Sequence, residues 1–139
     1  MKMHALVLGF LFGLLLFVGL NGLAQDNSGL PKGVGPISEV ELAELDPALA
    51  EAGKASFEQY CTACHKIEER YIGPALLGVT ERRSPEWIMN MIINPDVMIQ
   101  EDDTAYELFA EFMTPMANQN MTEEQARSIL EFFRSNDAE

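Results

Sequence analysis

Five consecutive residues, Cys61-Thr62-Ala63-Cys64-His65, carry types and spacing that do chemistry. Two thiols two residues apart, followed at once by a histidine, form the attachment signature of c-type haem. Each thiol can form a thioether to one vinyl group, and the imidazole then coordinates the iron. Rival uses of the pair are weaker. A structural zinc ion takes about four ligands, whereas beyond the first 24 residues the chain has two cysteines and one histidine. A disulfide framework needs more cysteines at wider spacing. A thiol oxidoreductase built on C-x-x-C belongs in a βαβ setting, which the chain's patterning does not suggest.

If His65 takes one axial position of the iron, a second ligand is needed to close the other. His4 falls in an expected leader, so bis-His ligation would require a partner chain. The soft thioether of methionine is the natural substitute, and His/Met ligation raises the reduction potential. Six methionines lie downstream: Met89, Met91, Met98, Met113, Met116 and Met121. Met89 and Met91 fall mid-helix, where core packing is the default role. Met121 stands just before a helix cap. Met113 ends an apolar helical face, and Met116 follows Pro115 in a loop between two expected helices.

The elements that must position these groups read as helices. Asp46-Pro47 is an N-cap followed by proline at the first helical position. Leu49, Ala52, Gly53, Ser56, Phe57 and Tyr60 then recur at helical spacing up to Cys61. Gly53 costs roughly 1 kcal/mol there against Ala, which close approach of another helix would justify. Ser84-Pro85-Glu86 starts a second helix bearing Trp87, Ile88, Met91 and Ile92, and Asn94-Pro95 ends it. Asp103-Thr104 starts a third with Leu108, Phe109, Phe112 and Met113 toward the core. Thr122-Glu123-Glu124-Gln125 is a capping box with Met121 as its hydrophobic staple. Ala126, Ile129, Leu130 and Phe133 give the last helix one apolar face.

Ahead of these elements, residues 1–24 have the layout of a signal peptide: a basic start, an apolar run from Ala5 to Leu20, and small residues before a cut after Ala24. The alternative is an uncleaved membrane anchor. Residues 25–46, with Asn-Ser-Gly, Pro-Lys-Gly and Gly-Pro, read as a flexible arm. The net charge of −13 excludes nucleic acid as a natural ligand and favours partners with a basic face.

Gly53-x-x-x-Phe57-x-x-x-Cys61-x-x-Cys64-His65 and the following Gly73-Pro74-Ala75-Leu76 resemble the small single-haem bacterial cytochromes c. The resemblance covers about residues 48–135. It implies an all-α fold, with cytochrome c-like helices of a 47–139 domain wrapped around one haem bound through Cys61 and Cys64. It implies that the Pro74 carbonyl accepts from the His65 ring, and it leaves Trp87 two roles, donating its indole N–H to a haem propionate or packing. It favours Met116 as the axial methionine, although here the proline precedes the methionine rather than following it. The implied function is one-electron transfer between redox proteins outside the cytoplasmic membrane, in the periplasm, and not enzymatic turnover. The alternatives are a haem enzyme or gas sensor with an open sixth site, and a haem subunit of a membrane complex.

Overall fold

The computed structural model describes residues 29–138, so the leader expected over 1–24 lies outside the described residues. All regular structure among them is helical: α1 Pro47–Tyr60, α2 Val79–Arg82, α3 Pro85–Ile93, α4 Pro95–Glu101, α5 Asp103–Phe112 and α6 Glu123–Asp137.

The local chemistry of the sequence accounts for most of the helix ends. Asp46 caps α1 by accepting from the Ala48 and Leu49 N–H groups, and Ser84 caps α3 by accepting from Trp87 N–H. Thr122 and Gln125 form the reciprocal capping box of α6, and Met121 beside it is buried. Two short helices were not legible in the pattern. Pro95 does end α3, because Asn94 leaves the helical region (φ −138°, ψ 48°), but it also opens α4 as its first residue. α2 is one turn after Gly78. Its N–H groups are satisfied from a distance, by the Asp137 carboxylate at the far end of α6, which accepts from Gly78 N–H and Thr80 N–H. α5 starts at Asp103, as expected, with Asp102 as its cap.

The core sits where α1 crosses α6. Ala126, Ile129, Leu130 and Phe133 are all buried, and Phe57 meets Phe132 and Phe133 at ring-centroid distances of 5.4 and 5.8 Å. Gly53 makes the crossing possible: a Cβ there would lie 1.9 Å from the Ser128 carbonyl oxygen. The close approach, and not a neutral surface position, is why this helix carries a glycine.

Beneath that crossing the fully buried Glu131 of α6 ties that helix to the start of α1. Its carboxylate accepts from Arg134, Arg127 and the Asp46 N–H at the start of α1. Burial pushes its pKa up, but these donors outweigh burial, and the carboxyl is held below its ordinary value.

Residues 31–43 depart from the sequence reading. They form no helix, yet they do not trail as a flexible arm; they lie docked along α3. The buried Asn90 side chain replaces strand-like pairing for them: its Oδ1 accepts from Ile37 N–H, and its Nδ2 donates to the Ile37 and Lys32 carbonyls. Ser84 Oγ donates to Pro31 O, Val40 N–H donates to Glu86, and Val34 N–H donates to the Met98 sulfur at 3.1 Å. Ile37 is 5% exposed. The glycines and prolines that suggested flexibility serve a tight fit, since a Cβ on Gly35 would meet Asn90 Oδ1 at 2.4 Å.

Candidate haem site

The site starts at the end of α1. One further turn continues past Tyr60, with the Cys64 and His65 N–H groups both donating to the Cys61 carbonyl. This turn brings Cys61, Cys64 and His65 onto one cavity. Gly73 N–H then donates back to Cys64 O at 2.8 Å, folding the chain so that Gly73 lies against the His65 ring. A Cβ at residue 73 would sit 2.5 Å from His65 Cε1 and 2.8 Å from Nδ1, so only glycine leaves room for the imidazole.

The Pro74 carbonyl oxygen lies 3.2 Å from His65 Nδ1. With the proton on Nδ1 donated to that oxygen, Nε2 keeps its lone pair and is the nitrogen that could bind a metal. Burial lowers the His65 pKa from its ordinary value, against a smaller opposing effect of the Pro74 bond, so the ring is neutral, the form that ligates.

The cavity measures about 180 Å³. That is more than ten times the roughly 10–15 Å³ that one water requires. Its walls are apolar: Phe57, Ile129 and Phe133 from the α1–α6 crossing, Ile88, Met91 and Ile92 from α3, Leu108, Phe109 and Phe112 from α5. Met116 completes the lining from the loop after α5 and is half-buried. Met113, the other open candidate, caps α5 in the left-handed region (φ 53°), is 78% exposed and does not line the cavity. Met89, Met98 and Met121 are core residues. Met91 is a wall residue rather than interior packing alone, and Ile99 of the unforeseen α4 is another.

Of the two roles open to Trp87, its contacts support packing. Its ring lines the cavity, but its single donor is used elsewhere: Nε1–H donates to Asp102 Oδ1 at 3.0 Å. A Trp has one N–H and no other donor, so nothing remains for a propionate. Nearby, Arg82 donates to the Leu77 carbonyl and Arg83 to the Arg82 carbonyl.

The chemistry of the donor set fits a covalent haem better than it fits thiol redox work. Cys61 and Cys64 are not joined by a disulfide. Burial, then the adjacent Cys64 charge, push the Cys61 thiol up to about 11. An oxidoreductase needs the opposite shift. Among the described residues no three His, Cys, Asp or Glu side chains gather as a metal site of their own.

A family model described as cytochrome c matches residues 50–137, from the first helix to the last. The chain belongs to the cytochrome c family. A solved cytochrome c from Rhodothermus marinus is 48% identical, over 75% of this chain and 90% of that one, with a TM-score of 0.74. An engineered form of the Rhodothermus protein, solved bound to a carbene intermediate, is 46% identical over 76% of this chain and 92% of that one, with a TM-score of 0.71. A cytochrome c-553-like protein of Synechocystis sp. is 41% identical over 46 residues, 32% of this chain and 44% of that protein. The chain thus matches less than half the length of that relative.

Residues that sequence reading passed over are Gly73 as the seat of the histidine and Arg70 as a tie across the site. The Gly-Pro pair was a signal for the first. Arg70 had none, because its partner lies 41 residues away.

Proposed function

We propose that this cytochrome c is a one-electron carrier whose haem c is bound through Cys61 and Cys64 and ligated by His65 and Met116. One observation carries the reading: two loops far apart in sequence bring His65 and Met116 to line the same apolar cavity. Haem iron supplies a one-electron couple between ferric and ferrous states. The chain's part is to hold His65 neutral and fixed by the Pro74 carbonyl, to offer the Met116 thioether, and to exclude water with the walls of α3 and α5. With both axial positions filled, there is no open site for substrate. The carbene-bound form belongs to an engineered relative, and the same outcome is not expected of this chain at rest.

Residues 1–24 act as an export signal in this reading, and the haem domain works outside the cytoplasmic membrane. No helix among the described residues is long and apolar enough to cross a membrane. Intact mass and spectra of the exported protein test the reading together. The expected mass begins at Gln25 and includes one haem. The expected ferric spectrum is low-spin with a far-red sulfur-to-iron band that disappears in Met116→Ala. A high-spin parent, or a band that survives the substitution, defeats His65/Met116 ligation.

The partners are redox proteins with basic docking faces, on the strength of the charge of −13. Reduction by a basic donor is expected to slow steeply as salt rises through about 0.2 M. A rate constant flat with salt would remove electrostatic steering from the account.

A further inference from the structure

The part of the cavity wall that carries Met116 is thinly held. α5 packs on α4, and Ala105 is its one buried residue; Tyr106 is 60% exposed. The start of α5 is pinned, since Asp102 Oδ1 accepts from both Trp87 Nε1–H and Ala105 N–H. Its end is tied to the histidine loop by one long side chain, and the loop beyond it reaches α4 through Asn118 Nδ2, 3.4 Å from Asp96 Oδ2. Arg70 lies in the turn between His65 and Gly73. Its Nη1 donates to Glu111 Oε1 at 2.6 Å, and its guanidinium stands 4.0 Å from the centroid of the Phe112 ring. Phe112 lines the cavity, and the chain reverses at Met113 directly into Thr114-Pro115-Met116.

We infer that Arg70 is a positioning residue: it clasps the His65 loop to the last turn of α5 and so sets how readily Met116 leaves the sixth position of the iron. The inference rests on the His65/Met116 reading above. The clasp is deliberate in form but weak in strength. Both members of the ion pair are more than half exposed, so salt screens it. The flat guanidinium adds a stacking contact that a lysine ammonium reproduces poorly. Such a tie slows excursions of the Met116 loop several-fold and does not lock it. It acts on the methionine side, leaving the contacts of His65 with Pro74 and Gly73 as they are.

The test uses the full haem-loaded ferric protein and imidazole as probe. At saturating imidazole the limiting rate of spectral change reads Met116 release. Arg70→Ala and Glu111→Gln are each expected to raise that rate roughly three- to tenfold, with the double variant no faster than the better single one. About 1 M NaCl raises the parent's rate toward the variants' and leaves the Arg70→Ala rate unchanged. Arg70→Lys falls between. Amide hydrogen exchange over residues 112–118 rises in Arg70→Ala while α1 and α6 keep their protection. Unchanged limiting rates, or an equal salt response in parent and Arg70→Ala, overturn the clasp while Met116 ligation stands. A parent lacking the sulfur-to-iron band overturns the ligation and the clasp with it. If Arg70→Ala loses its cooperative melt, Glu111→Gln decides by the same criteria.

Discussion

At the scale of single residues the site depends on what is absent from Gly73 as much as on what His65 provides. The imidazole rests in the space a Cβ would fill, while the next residue's carbonyl holds its Nδ1. Gly73→Ala therefore pushes on a ring, not on the loose end of a flexible chain. The histidine must turn, lose its bond to Pro74, or displace the loop. Overpacking of this kind costs about 1–3 kcal/mol. We expect a lower yield of haem-loaded protein, and in the loaded fraction a weakened sulfur-to-iron band, as the tilted imidazole misplaces the iron. A Gly73→Ala protein with parental yield and spectrum would show that the loop relaxes freely. Trp87 teaches the complementary lesson. A residue type suited to a role does not fill it when its one donor is already bonded.

At the scale of elements the decisive feature is the crossing of α1 and α6. In an exposed helix, replacing a glycine by alanine gains roughly 1 kcal/mol of helix propensity. At residue 53 the added methyl would collide with the Ser128 backbone, which cannot move without parting the two helices. The sign therefore reverses: Gly53→Ala is expected to destabilise by about 2 kcal/mol or more, read from denaturant melts of the haem-loaded protein. A neutral or stabilised variant would mean that the helices are not held at this distance. The capping chemistry of α1, α3 and α6 was legible because a cap and its helix are adjacent in sequence. α2 was not, because Asp137 caps it from 57 residues away. The docked segment over 31–43 was misread for a related reason. Its composition is that of a flexible arm, and what orders it is Asn90, a helix residue 53 positions from Ile37.

At the scale of the whole molecule, the apolar side chains of α3, α5 and the α1–α6 crossing share one cavity as well as packing on one another. The α5 wall in particular, with Ala105 its one buried residue, buries little without a large apolar body against it. A domain this small has limited core to spare. Cys61→Ala/Cys64→Ala, which prevents covalent attachment, is therefore expected to leave a chain without a cooperative thermal transition and with amide protection only over α1 and α6. A cooperative, near-parental melt of that haem-free chain would show that the polypeptide core suffices by itself. The acidic charge belongs to this scale too, since it acts through the summed field and not through any one carboxylate.

The sequence alone determined the attachment motif, the helical class and four of the helix starts, because each of these is written in residues within about one turn of each other. It favoured Met116 over Met113 as the candidate axial methionine. The tertiary structure adds that Met113 is turned to solvent while Met116 lines the cavity. It also supplies the engaged Trp87 donor, the docking of residues 31–43, the tie from Arg70 to Glu111 and the space at Gly53 and Gly73. Each is a contact between groups remote in the chain, and hydrogen bonds and steric exclusion act over a few ångströms of space whatever the distance in sequence.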